Sequence, residues 1–336
     1  MPCQTLAIDF LPAFGAVAPA EWRRVLARSD SPVVFLTQEW QQTWWDVYGR
    51  GTLLLAAARH EGRLVALAPL FADEGMAYFV GSGGCGSDYL DFVGDVSAPD
   101  TLDGLLTAVR DRVRDFVGFR FYLVPDASRT GALLRGAASR LGLKLCDEGE
   151  LVAPVLELGA PPAVEALLDK KTLRQAERCF ERTGTLTVNE AREAQDILPH
   201  LDAFFRQHIE RWRATPFPSL FLEPRHCDFY RRLVGAASDA GWLRFTRLEW
   251  QDRTIAAHFG FCHGGRYLYY KPTFATDLAR HSPGQVLLRK LVRSAMADQA
   301  TVFDFGLGNE AYKARFTTAT PTVRTWGLYA PGQRPH

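Results

Sequence analysis

The chain has little to staple, charge or anchor it. Its six cysteines (Cys3, Cys85, Cys146, Cys179, Cys227 and Cys262) form no C-x-x-C pair among 336 residues. That spacing argues against a zinc site or a disulfide framework and fits a reducing compartment. Charge of one sign is equally scarce: 39 Lys and Arg face 38 Asp and Glu, a formal net charge of +1. No global field draws the protein to DNA, and a polyanionic ligand would need a local basic site. No apolar run approaches the roughly 20 residues that span a bilayer. The opening MPCQTLAIDFLPAF has neither a basic n-region nor a continuous apolar core. No signal peptide is expected, no membrane span, and a cytoplasmic location.

What is present is a large potential core. With 47% hydrophobic and 23% charged residues, the chain reads as two globular domains of ~150 residues each. Residues 1–32 form a leader. In FLTQEWQQTWWDVYG, Thr37 is placed to cap a helix with Trp40, Trp44, Val47 and Tyr48 on its apolar face and Gly49 as its stop. LLLAAARH and RLVALAPLF read as a hairpin through Glu61-Gly62, and MAYFV as a third strand. Gly81-Ser82-Gly83-Gly84-Cys85-Gly86 lacks the Gly-Lys-Ser/Thr of a phosphate loop and reads as a flexible loop. YLDFVGD follows as strand, then helix, FRFYLV as strand, helix and strand to residue 158. Ala160-Pro161-Pro162-Ala163 reads as the linker.

The second half repeats this grammar. A helix over 164–182 carries Lys170, Lys171, Arg174 and Arg178, the last three on one basic face. TLTVNE reads as strand, Ile197 to Trp212 and Cys227 to Ala240 as helices, and WLRFTRLEW, TIAAHFGF and RYLYYKPTF as a meander. Next comes Ser282-Pro283-Gly284-Gln285, where Ser282 as N-cap, Pro283 at the first helical position and Gln285 three residues after the cap predict a helix start with a capping box. Leu287, Leu288, Leu291, Val292, Ala295 and Met296 supply the buried stripe. Free backbone N–H groups, the positive end of the helix dipole, and Arg280 and His281 just upstream favour an anion there. Val302–Phe305 reads as strand, Gly306 and Gly308 as a turn, a short helix carries Glu310, Tyr312, Lys313 and Arg315, and TVRTWGLYA ends the fold.

This order, with a helix N-terminus directly after the third meander strand, resembles the GNAT acyltransferase fold, and two halves in tandem resemble its FemAB branch. FLTQEWQQTWWDVYG, GRLVALAPL, HFGF, GRYLYYKPTF, SPGQVLLRKL and FDFGLGNEAYKARF are similar to the BioF2-like or CelD-like acetyltransferase group, linked by name to polysaccharide biosynthesis. The resemblance covers about residues 33–329. It implies an α/β (α+β) protein of two tandem GNAT-like halves, 33–159 (degenerate) and 160–330 (bearing the donor site), each a mixed, mostly antiparallel sheet flanked by helices. It also implies acyl-CoA as co-substrate, bound through Arg280, His281, Ser282, Gly284, Gln285 and Tyr270. The usual Q/R-x-x-G-x-G/A of this loop is replaced by Arg280-His281-Ser282-Pro283-Gly284-Gln285, with a single glycine.

Acyl transfer to an amine needs a bound donor, a polarised carbonyl, a base and an acid. Period two puts Ile255, Ala257, Phe259 and Phe261 on one strand face and Ala256, His258 and Gly260 on the other. His258 is either base or a hydrogen-bonded structural residue. Either tyrosine set of RYLYYKPTF, Tyr267 with Tyr269 or Tyr270, could face the cleft. Asp304, flanked by Phe303 and Phe305, is functional or an anchor. Tyr312-Lys313-Ala314-Arg315-Phe316 resembles the Phe-Lys-x-x-Phe of Fem enzymes, which implies that Lys313 stabilises the oxyanion or donor, with Tyr312 as acid; the other reading of Lys313 is a salt bridge to Glu310. The expected catalytic set is therefore His258, Asp304, Glu310, Tyr312 and Lys313. Lys171, Arg174, Arg178, Trp212 and Lys271 are expected to contact substrate, and no metal is expected. The function expected is N-acyl transfer from acyl-CoA to an amine, such as an amino sugar or polysaccharide precursor. The alternatives are an aminoacyl-tRNA-dependent FemAB-like transferase and a non-catalytic binding module.

Overall fold

A computed structural model describes residues 6–83, 86–98, 100–213 and 215–333. Gly84, Cys85 and Cys3 lie outside the described residues, and with them part of the glycine-rich loop. Contacts divide the chain into two units, Met1–Val152 with Pro321–His336, and Ala153–Thr320. The expected halves meet at 159/160; the observed division falls seven residues earlier and returns the last strand to the first unit.

The first unit contains β1 (Leu6–Leu11), α1 (Pro19–Leu26), α2 (Gln38–Tyr48), β2 (Thr52–His60), β3 (Arg63–Asp73), β4 (Met76–Phe79), β5 (Val93–Gly94), α3 (Thr101–Arg112), β6 (Gly118–Pro125), α4 (Thr130–Arg140) and β7 (Lys144–Val152). Thr37 caps α2 as expected, its Oγ1 accepting from the Trp40 N–H at 3.3 Å, and Trp40, Trp44 and Tyr48 are buried. Glu61 and Gly62, both at positive φ, close the β2–β3 hairpin in the way a two-residue primed turn requires. Of YLDFVGD only β5 is strand, two residues paired to β3.

The second unit contains β8 (Val155–Glu157), α5 (Pro161–Leu168), α6 (Lys171–Glu181), β9 (Leu186–Ala191), α7 (Ala194–Ile197), α8 (Leu201–Trp212), α9 (Pro224–Ala237), β10 (Leu243–Trp250), β11 (Arg253–His263), β12 (Arg266–Phe274), α10 (Pro283–Ala297) and β13 (Val302–Asp304). The expected linker Ala160–Ala163 is instead the start of α5, because Pro161 occupies the first helical position where no N–H is needed. The single helix expected over 164–182 is two, parted at Lys170, whose ψ of 137° is not helical. The short helix at Tyr312 is only a 3-10 turn, Lys313–Arg315.

Strand β14 (Thr322–Tyr329) pairs antiparallel with β6 and β7, so the first sheet runs β1-β2-β3-β4-β6-β14-β7. Nothing local announces this: Val323 pairs with Pro125 on β6 and Thr322 with Val152 on β7, both far back in the sequence. The second sheet runs β8-β13-β12-β11-β10-β9, antiparallel except for β12–β13, which is parallel with α10 as its crossover. Helix α10 buries Val286, Leu287, Leu288, Leu291, Val292 and Ala295 in the second core. It is tied to α5 and α6 by ions: Arg289 meets Glu177, Asp169 and the Leu168 carbonyl, and Lys290 also meets Glu177.

Candidate active site

Strands β12 and β13 pair only over Arg266–Leu268 and Val302–Asp304. Immediately beyond, β12 carries a bulge in which Tyr269 and Tyr270 stand opposite the single Gly260 of β11. The two strands part there, and a groove of about 210 Å³ opens against the start of α10. Arg211, Tyr269, Thr273, Ser282, Gly284, Gln285 and Tyr312 supply its polar and small lining, with Phe274 and Leu288 among the apolar.

At the start of α10, Ser282 is the residue before the first helical position, as expected, but it does not cap with its side chain. It sits in the left-handed region (φ 57°, ψ 49°), where its hydroxyl cannot turn onto the first turn, and no side-chain cap bond forms. The expected capping box is absent for that reason. Pro283 has no N–H, the Gln285 and Val286 N–H groups bond back to the Ser282 carbonyl, and Gly284 lines the groove. Gly284 also admits Phe274, whose Cδ1 would lie 3.2 Å from a side-chain Cβ at this position. The positive end of a 15-residue helix therefore faces the groove without an internal anion.

Two lining residues carry no sequence signal. Arg211, on α8, donates to the Pro272 carbonyl and lies over the Phe274 ring at 4.7 Å. Thr273 is buried, and its hydroxyl has no partner among the described residues. Tyr269 and Tyr312 meet edge to face at 6.5 Å. Burial, with Arg211 opposing and Glu310 adding, pushes the Tyr269 hydroxyl up to about 12. Tyr312 is raised further by burial, then by Tyr269 and Glu310.

The structure sorts the remaining expected residues by what they touch. His258 is fully buried, its ring stacked on Tyr269 (5.2 Å, 17°) and Tyr267 (6.0 Å, 20°). Its Nε2 accepts the Tyr270 N–H at 3.2 Å, a donor that the bulge takes out of the ladder. The imidazole occupies the space a Cβ on Gly260 would need, only 2.1 Å from its Cε1. Burial lowers its pKa to about 3, with the Leu268 carbonyl opposing. A neutral ring whose acceptor nitrogen is already used does not serve as a base; His258 holds the bulge. Asp304 is also fully buried, paired with Arg266 at 2.9 Å and accepting from the Gly306 N–H at 2.8 Å, which makes it an anchor for the turn.

Lys313 is buried, and its Nζ donates to the Leu307 and Gly308 carbonyls at 2.7 and 3.3 Å and pairs with Glu310 at 2.8 Å. These partners use its donors and fix the 306–310 turn, so the oxyanion role implied by resemblance gives way to the ion-pair reading. Tyr270 is on the opposite sheet face from Tyr269, packed against Tyr230 and Phe261, with Lys271 over its ring at 4.1 Å. Neither Tyr270 nor Lys271 lines the groove. Arg280 and His281 are not among its lining residues: Arg280 donates to His281 Nε2 at 3.0 Å, and His281 Nδ1 lies 3.3 Å from Cys179 Sγ. Trp212 stacks on His208 behind Arg211. Lys171, Arg174 and Arg178 are exposed on α6, without ion-pair partners among the described residues. Of the expected set, Ser282, Gly284, Gln285 and Tyr312 line one groove, and Glu310 lies near enough to raise both tyrosines.

A three-stranded meander, a bulged strand, a crossover helix and a splayed parallel partner define the GNAT acyltransferase fold, here built twice. Residues 169–314, under half of the chain and all in the second unit, match the acetyltransferase (GNAT) domain family. FemX superposes with a TM-score of 0.67 over 94% of this chain and 96% of its own, at 11% identity. A tandem GNAT protein from the clavulanic acid biosynthesis pathway does so with 0.57 over 98% and 100%, at 12% identity. L-PGS from Bacillus licheniformis gives 0.51 over 87% and 91%, at 12% identity. At such identities the likeness is one of fold. No protein of curated function matches the chain. Residues 169–314 thus match the GNAT domain family, and the chain as a whole has a fold like that of FemX and the tandem GNAT protein. No helix among the described residues is long and apolar enough to cross a membrane, and no cluster of three or more metal-ligating side chains occurs among them.

Proposed function

We propose that the second unit is an N-acyltransferase that binds the thioester end of an acyl-CoA in the groove and passes the acyl group to an amine. The observation that carries this reading is the meeting of a parted β12–β13 pair with the side-chain-uncapped start of α10. The helix terminus and Gly284 N–H receive donor phosphate, Arg211 and the Thr273 hydroxyl are placed to polarise bound oxygen, and Tyr312 donates a hydrogen bond to the leaving sulfur. Burial keeps Tyr312 protonated. Full transfer of its proton is disfavoured for the same reason, so its part is to stabilise the thiolate as it forms. Glu310, half-exposed at the turn, is the carboxylate available to take the amine proton through water. The acceptor class that the sequence resemblance favours is an amino sugar.

A ligand that binds only the folded state raises its stability by RT ln(1 + [L]/Kd), about 2.7 kcal/mol at 100 times Kd. Acetyl-CoA, free coenzyme A and longer acyl-CoAs should raise the melting temperature saturably, and Arg211→Ala should weaken that response at least tenfold. No shift with any thioester removes coenzyme A as donor.

One observation favours aminoacyl-tRNA instead: Lys170, Lys171, Arg174 and Arg178 form an exposed basic edge at α6 without ion-pair partners among the described residues. If four phosphates are neutralised there, log K should fall with log salt at a slope of roughly −3, and replacing the four by Gln should flatten it. Salt-independent or undetectable tRNA binding discards this reading.

A further inference from the structure

The first unit contains a second cleft, of about 390 Å³, lined by Asp126, Ser128, Gly131, Arg135, Asp147, Arg324 and Trp326 among others. One wall is made of donors. Helix α4 begins at Thr130, whose N–H is taken by Ser128 Oγ at 3.2 Å, while Gly131 and Ala132, the next two residues of its first turn, line the cleft. Trp326 is 5% exposed, and its indole N–H has no hydrogen-bond partner among the described residues. Its Nε1 lies only 3.1 Å from where a Cβ on Gly131 would stand, so the indole nitrogen and the first turn of α4 share one spot that glycine keeps open. Arg135, one turn further along α4, is exposed, has no ion-pair partner among the described residues, and lies over the Trp326 ring at 5.4 Å.

The cleft also holds acceptors, gathered on Arg324, whose guanidinium lies 5.8 Å from the Trp326 ring centroid. Arg324 is held by Asp147 at 2.5 Å, Glu150 at 2.5 Å and Asp126 at 3.4 Å. Three carboxylates around one guanidinium leave negative charge and lone pairs unspent, and each carboxylate has room for further donors. The Asp147 carboxyl is held below its usual range by the Gly149 N–H, then by Arg324 and Arg135, so Asp147 stays ionised at neutral pH.

We propose that this cleft binds a small zwitterion, its anionic group on the α4 start, Trp326 and Arg135, and its protonated amine on Asp126 and Asp147. An anion alone would leave the acidic wall repelling it, and a cation alone would leave the donor wall unpaired. The site lies wholly in the first unit and stands or falls independently of the acyl-donor groove.

Calorimetric titration of the whole chain tests it, with O-phosphoethanolamine and 4-aminobutyrate as the phosphate and carboxylate forms of the ligand. Methyl phosphate, butyrate, ethanolamine and butylamine serve as half-ligands. Saturable binding of at least one zwitterion is expected, with every half-ligand at least tenfold weaker; which zwitterion binds fixes the anionic group. Arg135→Ala, at an exposed position, should keep the unliganded melting temperature and lose at least tenfold in affinity, and Asp147→Asn should weaken the zwitterion more than it weakens methyl phosphate. Three results would each overturn the proposal: no saturable heat with either zwitterion into the tens of millimolar, a half-ligand that binds as tightly as the zwitterion, or unchanged affinity in Arg135→Ala.

Discussion

Lowering the pH from 6.5 to 5 should destabilise the second unit while the first becomes more stable. In the second unit His258 and His208 are buried, and burial takes each pKa to about 3, for His208 with Lys271 and Arg211 adding to it. A histidine whose folded pKa is depressed binds its proton only after unfolding. The unfolded state therefore takes up protons below pH 6.5 while the folded state does not, and stability falls with pH. Each such group costs about 1.4 kcal/mol per pH unit between the two pKa values, or about 2.7 kcal/mol per unit for the pair. His200, His226 and His263 are shifted the same way, mainly by burial, and add to the loss.

The first unit responds with the opposite sign. Asp91 is fully buried, and burial raises its pKa to about 6 despite hydrogen bonds from Ser128, Thr130 and the Phe92 N–H. Its folded state takes up a proton before the unfolded chain does, so below pH 6 that unit gains up to about 1.4 kcal/mol per pH unit. Native-state hydrogen exchange, read for β11 and β12 against β3 and β6, resolves the two responses. Equal losses in both units, or a flat second unit from pH 6.5 to 5, would show that these side chains are not buried as described.

Lys313→Met should cost about 3–5 kcal/mol of folding stability, because it leaves the carbonyls of the 306–308 turn and the Glu310 carboxylate without their shared buried donor. Methionine keeps most of the volume, which separates the lost donor from a cavity. The melting temperature is the readout. A variant that melts like the parent protein but has lost acyl transfer would return Lys313 to the chemistry, as the sequence resemblance implies. A variant that has lost stability, and whose acyl-CoA response returns at low temperature, fixes it as the organiser of the turn.

Sequence reading reached the elements more readily than the contacts. The hairpin at Glu61-Gly62, the Thr37 cap and the buried stripe of α10 are local patterns, and each is found where spacing put it. Alternation also placed His258 and Gly260 on one face. The consequence of that pairing was harder to see: a glycine two residues beyond a histidine leaves room for the ring to lie flat and take the Tyr270 N–H. A bulge belongs to two strands at once, so the separation of Tyr269 from Tyr270 could not be read from β12 alone. Arg211 matters because α8 brings it over Phe274, and Thr273 because its hydroxyl is buried without a partner among the described residues. Both are facts of packing. The partners of Lys313 include backbone carbonyls, which have no signature in sequence, and β14 joins a sheet whose other strands lie far back in the chain.

The central claim is that the groove at the start of α10 holds the acyl donor. Hydrogen exchange of the whole chain with and without saturating acetyl-CoA tests it most directly. Protection confined to residues 269–288 and 305–313, and lost in Arg211→Ala, is the predicted result. Protection elsewhere, or none while acetyl-CoA is demonstrably bound, would contradict it.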